Sequence, residues 1–359
     1  MVSSAIPDHL HCARTRPASL RPGFQAPYPA YSVRFPEHAS QLVMAIIGAQ
    51  YQSEADVDGA AQSMLSTFLT CPSNPPSFIE WASVTDNKGF YNLSALGYWP
   101  SKAAYEAWAE KSGFLEWWQA LKPEACQHGW FLEVFFPTMD RIETLFNTTD
   151  AVEGFAHMGE AMSGEVQEHG YWGSMRDRLP ISQTDSLPGT PATAEDFDSP
   201  EPSSFGIGSR VKIPGKKNLV VIRSGQNWLD TSPAERELYL DTMHPVLIKG
   251  MNFLRDQGDQ VGCYSCRFME IVDPVTTKAD NDRTFGLAYF DDLGSLERWC
   301  REHPTHLAIF GGFHQYARKL NNNVTLRVFH EVMVLEPEQQ LFEYVACHPG
   351  TGMWMIGSG

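Results

Sequence analysis

Two histidines and a serine are the side chains of this sequence best placed to do chemistry, because each interrupts an otherwise apolar face. In REHPTHLAIFGGFHQYARKL (301–320), Pro304 suits the first turn of a helix, and at about 100° per residue Phe310, Phe313, Ala317 and Leu320 form one apolar stripe. His306 falls near the centre of that stripe, with His303 one turn earlier and His314 toward its edge. An imidazole there is either a hydrogen-bonded core residue or a neutral ring nitrogen offered to a metal or a haem iron. In LRVFHEVMVL (326–335), period-two alternation sets His330 on one strand face with Leu326, Val328, Val332 and Val334. A histidine among valines loses hydration, so it is either satisfied structurally or held for proton transfer near neutral pH. In LVVIRSG (219–225), Ser224 shares a face with Val220 and Ile222. A serine before Gly225 reads first as a turn former and second as a hydroxyl donor to a bound ligand.

These residues belong to the second of two similar halves. QLVMAIIGAQY (41–51), YNLSALGYWPSKAAYEAWAEKSGFLEWWQAL (91–121) and GWFLEVFFPTMDRIETLF (129–146) correspond to NLVVIRSGQNW (218–228), RTFGLAYFDDLGSLERWCREHPTHLAIFGGF (283–313) and LRVFHEVMVLEPEQQLFEY (326–344). Tyr98, Glu106 and Trp108 match Tyr289, Glu297 and Trp299 at a constant offset, and Glu133 matches Glu331. The first half carries Leu115, Leu132 and Ile47 where the second has His306, His330 and Ser224, so the second half is where chemistry is expected.

Each half reads strand, helix, strand, helix, strand, helix, which predicts an α+β fold of tandem ferredoxin-like repeats. Their sheets should pack together or curl into a barrel, and such a barrel encloses a pocket. The expected organisation is an extended proline-rich arm over 1–38, able to reach a neighbouring subunit, then a first repeat with extra helices over 39–180. A Pro/Ser/acidic connection over 181–209 leads to a second repeat over 210–359, which carries the functional residues.

Composition removes several alternatives. With 27 Lys+Arg against 43 Asp+Glu, the net charge of −16 disfavours a phosphate backbone or an anionic membrane as partner. No apolar run is long enough to span a bilayer, and the N-terminal residues lack the apolar core of a signal peptide, so a cytoplasmic protein is expected. Seven scattered cysteines fit reduced thiols, and the single Cys263-Tyr-Ser-Cys266 has no partner pair for zinc. No dinucleotide, Walker, HExxH or GxSxG motif is present in the sequence.

Five segments carry a more specific signal. MVSSAIPDHLHCARTRP at the N-terminus, HGYWGSMRDR (169–178), LVVIRSGQNW (219–228), HPTHLAIFGGF (303–313) and LRVFHEV (326–332) occur in this order over nearly the whole chain. Together they resemble the haem-containing aldoxime dehydratases, the family that includes phenylacetaldoxime dehydratase. The resemblance implies a dimeric α+β barrel-type haem-binding fold, and a homodimeric lyase holding haem b, ferrous in the active form, that dehydrates an aldoxime, R–CH=N–OH, to a nitrile and water with the substrate nitrogen on the iron. It also implies His306 as the axial ligand, His330 as the distal acid and base, Ser224 as a hydroxyl donor to the oxime, and Arg178 with Glu143 as catalytic residues beside His330. The same constellation without turnover would make a haem-binding sensor or carrier.

Overall fold

The computed structural model describes residues 3–193, 209–273 and 275–354, so the core of the expected 181–209 connection lies outside the described residues. In the first half, β2 (Val43–Tyr51), α1 (Ala60–Leu69), β3 (Phe78–Thr85), β4 (Tyr91–Trp99), α2 (Lys102–Lys111), α3 (Phe114–Ala120) and β5 (Gly129–Phe135) follow one another. In the second, the corresponding elements are β9 (Leu219–Asn227), α5 (Pro233–Leu238), α6 (His244–Gln257), β10 (Cys263–Val272), β11 (Ala279–Phe290), α7 (Leu293–Glu302), α8 (Pro304–Lys319) and β12 (Arg327–Leu335). Each half therefore runs strand, helix, strand, strand, helix, strand, which corrects the simple alternation read from the sequence. The reason is local: Asp86 and Gly89, the latter at φ +87°, make a tight turn, and a connection that short joins antiparallel neighbours.

Three added strands widen the sheet: β6 (Ile142–Phe146), β8 (Arg210–Ile213) and β13 (Gln340–Val345). The eleven strands lie in the order β6-β12-β9-β11-β10-β3-β4-β2-β5-β13-β8, and each pairs antiparallel with its neighbours. A separate small ribbon pairs β1 (Val33–Arg34) with β7 (Ala161–Met162), and a short helix, α4 (Ser174–Arg178), follows it.

One face of the large sheet closes on itself. Met44, Leu96, Phe131 and Phe135 of the first half share a single buried cluster with Val221, Met269, Leu287 and Met333 of the second, which requires the sheet to curl. Buried ionic pairs cross this interior. Tyr98 donates to Glu331 at 2.7 Å and Tyr289 donates to Glu133 at 2.5 Å, so repeat-equivalent residues exchange partners between halves. Arg223 bridges Glu80 and Glu331 between the rings of Phe285 and Phe329, and Arg267 pairs with Glu133. The pocket expected inside the barrel is thus not there, because large apolar side chains and these ion pairs fill the interior.

The N-terminal arm lies on its own subunit, where Ser4 donates to Glu168 at 2.9 Å and the amides of Thr15 and Arg16 donate to the Gln183 carbonyl. Among the described residues no helix is long and apolar enough to cross a membrane.

Candidate active site

The outer face of the sheet meets helices in both halves, and the two halves fill that space differently. In the first, Trp108, Phe114 and Trp118 are buried against β2, β4 and β5 with Ile47, Ala95 and Leu132. At the repeat offset, Thr305 and Ile309 replace Phe114 and Trp118, and Gly286 replaces Ala95. The lost bulk leaves a cavity of about 1600 Å³ between β9, β11 and β12 and helices α6 and α8, lined by Ser224, Gly286, His306, Ile309 and His330 among others. Gly286 adds to this space: a Cβ at that position would meet Met251 Sδ at 2.7 Å, and the methionine would have to shift. Leu115, the counterpart of His306, is 43% exposed on α3, so it is a surface residue rather than a core one.

The distal side is assembled across strands. The antiparallel register sets His330 opposite Ser224 on β9 and opposite Leu145 on β6, while Glu143 stands opposite Val332. Directly paired residues share a sheet face, so Glu143, His330 and Ser224 project to the same side. Arg178, from the end of α4, donates to Glu143 through Nε at 2.7 Å and Nη2 at 3.0 Å, and through Nη1 to the Glu168 carbonyl at 2.7 Å. His330 Nε2 lies 2.9 Å from Glu143 Oε1 and 2.9 Å from Arg178 Nη2. Burial alone would raise the Glu143 carboxyl, but Arg178 and then His330 overcome it and hold the group down at about 2. Glu143 is therefore an anion when the protein is folded near neutral pH, and it accepts from Nε2 when that nitrogen carries the proton. Nδ1 is the ring nitrogen left for the cavity. Among the described residues no side chain bonds the Ser224 hydroxyl.

Opposite this cluster, α8 presents His306. Burial pushes its imidazole down to about 4, with the Cys300 carbonyl acting the other way, so the ring is neutral near pH 7. Its Nδ1 is buried without a well-formed hydrogen bond, and the Trp299 ring packs on it edge-on at 4.7 Å. His303 is differently engaged: it caps α8, with Nδ1 2.8 Å from Thr305 Oγ1, and stacks on Phe253 at 3.9 Å. His314 packs edge-on against Phe310 at 4.6 Å. Arg176, two residues before Arg178, turns away to Glu297 at 2.9 Å.

All five residues singled out from the sequence thus converge, with His306, His330, Ser224 and Arg178 on the cavity wall and Glu143 directly behind it. Two features escaped. The stretch 129–146 is not one strand and helix but two strands, β5 and β6, and only the second carries Glu143; Pro137 between them was the available signal. The arm also contributes Phe24, Tyr28 and Ala30 to the lining, which its lack of periodicity concealed.

The site suits a large planar cofactor. Its volume exceeds the few hundred to about 1,000 Å³ of ordinary ligand pockets. A neutral His306 in an apolar wall, with no side-chain hydrogen bond, is an apt iron ligand, and among the described residues no cluster of His, Cys, Asp or Glu offers a multi-ligand metal site instead. The sequence pattern of the haem-containing dehydratases matches residues 45–353. The chain belongs to this family. It is 39% identical to an aliphatic aldoxime dehydratase of Pseudomonas chlororaphis over 98% of this chain and 97% of that one. It is 31% identical to a phenylacetaldoxime dehydratase of Bacillus sp. (strain OxB-1) over 90% of each. It superposes with TM-score 0.89 on a crystal structure of an aldoxime dehydratase in complex with butyraldoxime, at 35% identity and covering 98% of this chain and 96% of that one.

Proposed function

We propose that this haem-containing dehydratase converts aldoximes to nitriles and water. The observation that carries the reading is the placement of the His330–Glu143–Arg178 cluster and Ser224 across one cavity from a neutral His306, in a chain of this family. His306 would hold the haem iron, and Arg21 and Arg318 in the lining would offer cations to its carboxylates. When bound, ferrous haem b would supply an electron-rich iron for the oxime nitrogen, a setting that would weaken the N–O bond.

The protein's own residues move the protons. His330, protonated on both nitrogens, keeps Nε2–H on Glu143 and donates from Nδ1 to the oxime hydroxyl, which leaves as water when the N–O bond breaks. The same Nδ1, now a lone pair, takes the C–H proton as the nitrile forms, so the ring ends as it began. Glu143 keeps one tautomer throughout, as the carboxylate of a catalytic triad does. Arg178 fixes Glu143 from both oxygens, and Ser224 donates to the oxime oxygen. Apolar walls exclude water and leave the R group to shape alone.

The non-catalytic sensor reading is not favoured, since the relatives described above are dehydratases by name. The strand orders β12-β9-β11-β10 and β5-β2-β4-β3 support two ferredoxin-like repeats, 39–180 and 210–359, curled into a barrel-type fold. We assign the protein to the cytoplasm, where its seven unpaired cysteines stay reduced, and to a homodimer, as the family resemblance implies.

The test is direct. Purified protein should show a Soret band and, after anaerobic reduction with dithionite, form nitrile from butyraldoxime. A Soret band with no nitrile from any aldoxime would leave the sensor reading.

A further inference from the structure

Asp177 sits beside Arg178 on α4 and is 2% exposed, yet the partners of its carboxylate are neutral: the Ser19 amide at 2.9 Å, the Leu20 amide at 3.0 Å and the Tyr171 hydroxyl at 2.8 Å. A buried carboxylate is costly unless its lone pairs are satisfied, and here two arm amides and the Tyr171 hydroxyl satisfy them. The surface under the arm is shaped to receive it. Gly170 and Gly173 have φ of +76° and +95°, and a Cβ on either would strike Pro27 at 2.6 Å or Ser19 at 2.4 Å. Beyond the latch, Phe24 packs on Tyr171 at 4.9 Å and Tyr28 on His169 at 5.0 Å. Tyr31 then exchanges two backbone bonds of 2.8 Å with Phe146 on β6. Because β6 pairs with β12 at Leu145 and His330, the arm at Ala30 and Tyr31 lies two strand spacings, about 10 Å, from His330. Phe24, Pro27, Tyr28, Pro29 and Ala30 all line the cavity.

We propose that Asp177 is a positioning residue that latches the N-terminal arm over the His330 side of the cavity, so that Phe24 to Ala30 form the wall met by the R group of the aldoxime. The inference rests on the aldoxime reading above. It makes substrate size a property of the arm, while the proton chemistry belongs to the sheet.

The test uses haem-loaded Asp177→Ala, with Asp177→Asn replacing it if the first fails to fold. Amides of residues 19–31 should exchange with deuterium at least about tenfold faster, the scale of one lost bond to a charged acceptor. KM for butyraldoxime should rise severalfold with kcat per haem within about twofold, the signature of lost uniform binding. Tyr28→Ala should shift the kcat/KM ratio of phenylacetaldoxime over butyraldoxime upward by about tenfold. Unchanged exchange would remove the latch, and a freed arm with both KM values intact would remove the wall. A fall in kcat at constant KM would show that Asp177 acts through Arg178 instead. Failure of the underlying reading looks different: fully haem-loaded wild type would form no nitrile from either substrate.

Discussion

His306 and His303 are three residues apart on one helix, yet their surroundings set them to different tasks. His306→Ala should lose stoichiometric haem, read as the Soret-to-protein ratio, because the iron then has no protein ligand. His303→Ala should keep its haem and lose about 1 kcal/mol of stability as an N-cap is removed. For Glu143 the pH sign follows from its depressed pKa: its stabilisation is complete above the ordinary value of 4.5 and lost as pH falls toward about 2. Glu143→Gln should therefore flatten the acid-unfolding curve between those values and cost about 3 kcal/mol at pH 7, since Arg178 is left buried without its anion. Ser224→Ala should slow turnover by about ten- to a hundredfold, one hydrogen bond to an oxygen gaining charge. His330 and Ser224 were legible in the sequence because each stands where the first half has a buried apolar residue, and His306 was legible from its helical period, since its counterpart Leu115 is exposed. Glu143 and Arg178 were not, since an ion pair formed by two residues thirty-five positions apart leaves no periodic trace; resemblance alone supplied them.

At the scale of elements, the functional half is a hollowed copy of the structural one. Trp118 and Phe114 close the gap between helix and sheet in the first half, and Ile309 and Thr305 open it in the second. Ile309→Trp should therefore lower haem occupancy without unfolding the apoprotein, checked by Soret ratio and thermal melt; undiminished haem would show that the cavity has another origin. The strands at 219–227 and 327–335 were readable to within a residue or two, as their apolar periods are strong, whereas the helix expected over 301–320 begins only at Pro304. The antiparallel pairing of the second and third strands was less so, because the turn at 86–90 signals a reversal but not which strand precedes it. The added strand β6 was hidden by its continuity with β5.

Over the whole molecule, the halves are joined by an interior in which burial and charge are balanced. Arg223 serves both Glu80 and Glu331, and burial has already raised the Glu80 carboxyl to about 7 despite that arginine. Arg223→Met should cost about 3 to 5 kcal/mol in urea unfolding, more than deleting a surface pair, because two carboxylates lose their shared cation in a dry interior. The repeat alignment paired Tyr98 with Tyr289 and Glu133 with Glu331, yet it could not show that each tyrosine bonds the other half's glutamate. Nor could it show that this interior is full, which is why the cavity lies on the outer, helix-facing side. Which face of a two-sided apolar sheet is hollow depends on side-chain volumes summed over distant segments, and no local pattern reports that sum.

His330→Ala separates proton transfer by His330 from a packing role beside the haem cavity. Reduced and supplied with butyraldoxime, the variant should retain full haem occupancy and the substrate-bound spectrum, while nitrile formation per haem falls by at least about 10² to 10⁴-fold. Turnover per haem near that of the wild type would rule out His330 as the proton carrier, and so would a parallel loss of haem and thermal stability, the mark of a packing residue.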